Sequence, residues 1–208
     1  MKKISKEFLI SIVYSLVIPA ILYFLLKLFQ SNYHVITSLV DKRIPFIPYF
    51  IYIYILFFPF IIIVLYMIFI KDKKKYYRGI NASLLGLIIT DIIFLIYPTI
   101  MNRPIVTNDI DIITRTVLNI TYFFDTPAIN CFPSIHSLLC FQVAYMSITC
   151  NNMKLKYKIM TTIMSLLVIS STVLVKQHYF YDILGAFIIF IISNIIAINY
   201  KKMLTNNR

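Results

Sequence analysis

Six stretches of roughly twenty mostly apolar residues, at about 8–29, 48–70, 80–100, 129–149, 159–176 and 181–200, leave this chain little choice of environment. A hydrocarbon core about 30 Å thick is crossed by roughly 20 apolar residues in a helix. Helices suit that setting because backbone groups facing lipid must be satisfied within the segment itself. Of the 208 residues, 60% are hydrophobic and 13% charged, against about 45–50% and about 25% in a soluble domain. Such a chain cannot hide its apolar surface in one water-facing core. The sequence therefore predicts an all-α polytopic membrane protein, a six-transmembrane-helix bundle forming a single domain over residues 1–208. The first stretch follows Lys2 and Lys3, as the core of a signal peptide would. Its apolar run exceeds the about 7–15 residues of such a core and no small-x-small cleavage site follows, so it reads as a retained helix.

A net charge of +12 would point to nucleic acid in a soluble protein. Here the basic residues flank spans and report topology, and no nucleic-acid partner is expected. Fourteen of them fall on one side: Lys2, Lys3 and Lys6; Lys71, Lys73, Lys74, Lys75 and Arg78; Lys154, Lys156 and Lys158; Lys201, Lys202 and Arg208. Six fall on the other: Lys27, Lys42, Arg43, Arg103, Arg115 and Lys176. This bias places a multi-pass protein in the cell membrane with both termini in the cytoplasm. Segments 30–47, 101–128 and 176–181 then face outward.

The outer ends of the spans hold the chemistry. His136 lies in Cys131-Phe132-Pro133-Ser134-Ile135-His136-Ser137, at the entrance to the fourth span. His178 lies in Lys176-Gln177-His178-Tyr179-Phe180-Tyr181-Asp182, at the entrance to the sixth, and Arg103-Pro104 follows the third. Ionisable groups at span ends are costly unless paired or solvated, and they tend to mark function. His178 and Asp182 stand four apart, a spacing that puts both on one helical face. A carboxylate on one ring nitrogen orients an imidazole and raises its basicity, which a nucleophile or general base needs. Taken singly, Arg103 reads as a headgroup anchor, Lys176 as a snorkelling side chain and His34 as a solvated interface residue. Asp91, in mid-span, reads as paired or protonated, and Asp109, Asp111 and Asp125 as solvated loop charges. The three cysteines, Cys131, Cys140 and Cys150, offer neither ligand spacing nor a disulfide framework, and no metal or other cofactor is expected.

Together these residues resemble the type 2 phosphatidic acid phosphatase superfamily. Its site is assembled from Lys, six residues, Arg-Pro; from Pro-Ser-Gly-His; and from Ser-Arg, five residues, His, three residues, Asp. Arg103-Pro104 matches the end of the first motif, Pro133-Ser134-Ile135-His136 the second apart from its glycine, and Ser171, His178 and Asp182 the third. Three positions depart from the pattern: Ile96 stands for the lysine, Ile135 for the glycine and Thr172 for the arginine. Lys176, four residues beyond Thr172, offers a replacement cation if the fifth span continues that far. Tyr97-Pro98-Thr99 and Gln177-His178-Tyr179 are similar to a divergent branch with sphingolipid and inositol phosphotransferase-like members.

The resemblance implies metal-independent hydrolysis of phosphate monoesters or diphosphates. His178 would attack phosphorus to form a phosphohistidine, with Asp182 holding its ring. His136 would protonate the leaving group and then activate water. Arg103 and Lys176 would take the equatorial oxygens. Ser134 would add a hydroxyl donor, and the amides of Ile135 and His136 would point inward from a helix N-terminus. The expected partner is a membrane lipid with a phosphate or diphosphate headgroup. A phosphotransferase using an alcohol acceptor, and a non-catalytic transporter or lipid-binding protein, are the alternatives from the sequence alone.

Overall fold

In the computed structural model residues 5–206 are described, with side chains described to residue 199; Lys2, Lys3 and Arg208, and the side chains of Lys201 and Lys202, fall outside. Among the described residues the chain forms seven helices and no sheet. They are α1 (Lys6–Leu26), α2 (Pro48–Lys71), α3 (Lys73–Ile96), α4 (Ile112–Phe124), α5 (Ile135–Thr149), α6 (Leu155–Leu174) and α7 (Phe180–Asn206). Helices α1, α2, α3, α6 and α7 are long and apolar enough to cross a membrane.

The fourth apolar stretch differs from expectation. Helix α5 begins only at Ile135 and has 15 residues, a rise of about 22 Å at 1.5 Å per residue. Pro133 accounts for the late start, since its ring disfavours helical geometry in the residue before it. Ser134 then caps the helix, its Oγ accepting from the Ser137 amide at 3.3 Å. Short as it is, α5 is the hub of the bundle and packs on α2, α3, α6 and α7. Helix α3 meets its neighbours through a stripe of buried small residues, Gly79, Ser83, Gly86 and Thr90, which lets apolar helices approach closely. Asp91, on the same helix, is buried with no hydrogen-bond partner on either oxygen.

Helix α4 was not anticipated, because a window of twenty apolar residues passes over a helix of 13. Its local signals are plain in retrospect. Asp111 caps it, accepting from the amides of Ile113 and Thr114 at 3.1 and 3.0 Å. One face packs Val117, Leu118 and Tyr122 against Ile51 and Val175, while Ile113, Phe123 and Phe124 stay exposed. Helix α1 carries a single π turn over Val13–Val17, just before Pro19. Proline has no N–H to continue the ladder, and the wider turn adjusts the register around it.

Two isolated bridges join the connector after α1 to the chain after α3, and that chain to the segment that leads into α5. His34 pairs with Thr99, and Ile100 with Ile129. The amides of Cys131 and Phe132 donate to Thr99 Oγ1 at 3.0 and 2.9 Å. On its other side Phe132 lies against Gly185 of α7, where an added Cβ would fall 2.6 Å from the ring. Pro133 Cβ lies 3.3 Å from the same point, so the ring would have to turn within a crowded contact. Gly185→Ala should therefore cost about 1–3 kcal/mol through overpacking, seen as a lower melting temperature in detergent; an unchanged melting temperature would refute this account.

Candidate active site

The site begins where α6 stops. The Lys176 amide donates to the Val173 carbonyl at 3.3 Å and the Gln177 amide to the Thr172 carbonyl at 2.8 Å. This pair of bonds, with Lys176 at φ 51, is a Schellman turn. A lysine in the left-handed region costs about 1–2 kcal/mol, offset by the capped carbonyls. The turn ends the helix at Leu174, so Lys176 does not share the helical face of Thr172. Its Nζ donates instead to the Ile44 carbonyl at 2.6 Å. Burial pushes its pKa down and nearby Asp41 opposes that. The hydroxyls of Ser171 and Thr172 turn back onto Val168 and Ile169 of their own helix, each at 2.7 Å.

Beyond the turn the chain enters α7 with three constraints. The Phe180 amide donates to Asp41 Oδ1 at 2.7 Å, so the helix start is pinned by a carboxylate from the connector after α1. Asp182 Oδ2 accepts from the Tyr179 amide at 2.8 Å, a carboxylate in the first turn reaching back to the capping residue. The same oxygen lies 3.2 Å from His178 Nδ1, and the Cys131 carbonyl lies 3.0 Å from that nitrogen. Both oxygens of this pair accept when the carboxylate is ionised, so Nδ1 carries a proton, and in the neutral ring Nε2 holds the lone pair.

Nε2 of His178 faces His136 Nδ1 at 3.4 Å. His136 stands in the first turn of α5, its ring packed on Phe57 at 4.5 Å and Tyr54 at 4.9 Å between centroids. The amides of Ile135 and His136 open the helix and have no intrahelical acceptor. Ser134 is fully buried, its Oγ engaged as the cap and its amide donating to the Asp182 carbonyl at 3.1 Å. Thus three separate segments, 131–136, 177–182 and 99–103, are tied into one corner.

Arg103 joins that corner from the segment after α3. Its NH1 donates to the carbonyls of Tyr122 and Asp125, at 3.3 and 3.1 Å, at the end of α4. Its NH2 donates to Asp125 Oδ2 and to Gln177 Oε1, the latter at 2.5 Å. Asp125 is thus not a solvated loop charge, and its second oxygen takes Lys27 Nζ at 2.9 Å and the Tyr23 hydroxyl at 3.1 Å. Asp109 and Asp111 are exposed, bonded to Thr107 and to the start of α4. His34 stands apart, its ring stacked on Tyr97 at 4.3 Å. Ile96 is exposed at the end of α3.

A cavity of about 660 Å³ runs from this corner. Asp125, Asn130, His136, Gln177 and His178 line its polar end, and the remaining wall is almost wholly apolar, from α1, α2 and α4. Phe24, Phe58 and Phe124 of that wall are more than half exposed, so the cavity opens on the apolar flank of the bundle. Sequence reading missed Lys27, Asp41, Thr99, Asn130 and Gln177. Only Gln177, beside His178, and Asn130, three residues before Pro133, carried a positional signal. The others reach the site by tertiary contact. Among the described residues no three His, Cys, Asp or Glu side chains converge as metal ligands would.

No curated protein and no solved structure matches the chain. A family model described as the PAP2 superfamily matches residues 21–196, which take in the end of α1, all of α2 to α6, most of α7, and every residue of the corner. Phosphoryl-transfer chemistry on lipid-type substrates is what that superfamily performs. The chain belongs to the PAP2 superfamily.

Proposed function

We propose that this protein is a membrane lipid phosphate or diphosphate phosphatase that works through a phosphohistidine on His178 at the outer membrane face. The observation that carries the reading is the pair of acceptors on His178 Nδ1, Asp182 Oδ2 and the Cys131 carbonyl. They fix the tautomer that leaves Nε2 unprotonated beside the cavity. In this reading the phosphate enters between His178 and His136, parting two nitrogens now 3.4 Å apart. Nε2 attacks phosphorus, and His136 gives a proton to the departing oxygen. His136 then takes a proton from the water that cleaves the phosphorus–nitrogen bond and frees phosphate. Arg103 and the amides that open α5 stabilise the charge on the equatorial oxygens. Lys176, held on Ile44, contributes by fixing the corner instead of touching phosphate.

The apolar cavity supports a lipid substrate, since a headgroup phosphate at the histidines would leave its hydrocarbon along α1, α2 and α4. A sixth crossing completes the topology in this reading. The non-helical lead from residue 129 together with α5 spans the bilayer, and α4 lies in the outer interface on its exposed apolar face. The charge bias of the sequence orients both termini inward.

Transfer to an alcohol is the second reading, favoured by the apolar surroundings of His136. A phosphoenzyme shielded from water has time to meet a hydroxyl acceptor.

Two outcomes test these readings. Detergent-purified protein should release phosphate from a panel of lipid phosphates in excess EDTA. His178→Ala should abolish release, and Asp182→Asn should slow it by about a hundredfold or more; full activity in His178→Ala protein would defeat the mechanism. Acid-labile phosphate trapped on the unaltered protein and missing from His178→Ala would identify the intermediate. With a lipid or polyol alcohol added, a phosphodiester product would establish transfer, and phosphate release unaffected by the alcohol would establish hydrolysis.

A further inference from the structure

Two cations of the family pattern are absent here, at Ile96 and Thr172, and Lys176 is committed to Ile44. We propose that Lys27 and Arg103 form a two-cation cradle for the substrate phosphate, with Asp125 as an internal anion that the phosphate displaces. The proposal rests on the phosphate-handling reading of the site and assigns it a cation from α1 that the motifs do not contain.

The carboxylate of Asp125 lies between the two cations, one oxygen on Lys27 Nζ and the other on Arg103 NH2. Two oxygens of a phosphate can span the same pair of donors, with a larger charge to offer them. Occupancy of the arginine decides how that happens. Four of its five N–H groups are in use, against the Tyr122 and Asp125 carbonyls, the Asp125 carboxylate and Gln177 Oε1. Only Nε is without a partner. A phosphate can therefore reach this guanidinium with more than one oxygen only by removing an acceptor. Two of the four are backbone carbonyls fixed at the end of α4, and Gln177 is fixed in the turn before His178. Asp125 is the one with room to leave: its side chain is 31% exposed, whereas Gln177 is 3% exposed.

Independent evidence for an anion comes from donors with nothing to bind. Gln177 presents its oxygen to Arg103, which can only donate, so its Nε2 must point elsewhere. That Nε2 and both side-chain polar atoms of Asn130 are buried without partners. Both residues line the cavity beside His136 and His178. Buried polar atoms in folded proteins are nearly always satisfied. Two orphan amide donors, Gln177 Nε2 and Asn130 Nδ2, beside a displaceable carboxylate describe a site built for a ligand richer in acceptor oxygens than Asp125.

The experiment measures tungstate binding by calorimetry and turnover of a short-chain lipid phosphate, both on the full chain in detergent. Lys27→Met should weaken tungstate binding and raise KM about tenfold while kcat falls less, and Lys27→Arg should restore most of the loss. Asp125→Asn should tighten tungstate binding, because the competitor loses its charge. Weaker binding in Asp125→Asn would make the carboxylate a brace and overturn the proposal, even if Lys27→Met failed to fold. Turnover that proceeds with Lys27→Met indistinguishable from the unaltered protein would overturn the cradle and leave the phosphatase reading standing. Tungstate held through Lys27 without phosphate release from any lipid would support the cradle and defeat that reading. No tungstate binding at all would overturn both.

Discussion

His178 Nδ1 lies between two oxygens, the Asp182 carboxylate and the Cys131 carbonyl, and most of this end of the bundle serves to keep them there. A single acceptor would orient the ring loosely. Two, arriving from different segments, define both its plane and its tautomer. Each oxygen is itself held. Asp182 is fixed by the first turn of α7, whose opening amide is tied to Asp41. The Cys131 carbonyl is fixed because Thr99 Oγ1 takes the amides of Cys131 and Phe132 together. One hydroxyl thus sets the position of an oxygen that sets the protonation of a ring.

The same economy explains why α5 is short. A helix begun at residue 129 would fold the Cys131 carbonyl into its own ladder and take it away from His178. Pro133 and the Ser134 cap delay the helix to Ile135. The saving in helix length leaves the lead-in free to bond Thr99 on one side and Asp182 on the other. The burial of Ser134 and the close contact of Phe132 with Gly185 then follow from the same register.

Much of this was legible in the sequence, and the limit has a physical form. The apolar runs predicted α1, α2, α3, α6 and α7, because a bilayer demands length and the demand is written residue by residue. The i, i+4 spacing of His178 and Asp182 predicted their pairing, since both lie on or beside one helix start. Lys176 was misjudged for a local reason: a lysine does not advertise the left-handed conformation that ends α6 two residues earlier. Helix α4 escaped because it is too short to span and its capping signal at Asp111 is one of many aspartates. Lys27, Thr99 and Asp125 were beyond reach of any spacing rule. Lys27 and Asp125 meet across 98 positions of sequence, at the ends of two different helices.

The charge inventory has a consequence for how such a site would choose its substrate. Each cation placed in a low-dielectric corner carries a desolvation cost that only a well-placed anion offsets. In this chain Asp125 supplies that anion internally, so Arg103 and Lys27 can be nine-tenths buried in the free protein without standing unpaired. A phosphate competing with a tethered carboxylate gains only the difference between the two, which is smaller than its full attraction to two free cations. The balance of affinity then has to come from elsewhere on the substrate. The cavity offers it: hydrocarbon along α1, α2 and α4 contributes in proportion to the apolar area it buries, and binding energy from a remote group can be used at the reacting one. A small water-soluble oxyanion has no such contribution to make, so it displaces Asp125 measurably but with lower affinity than a lipid phosphate. On this argument selection for a lipid lies in the carboxylate as much as in the apolar wall, because the internal anion sets the threshold that the tail must overcome.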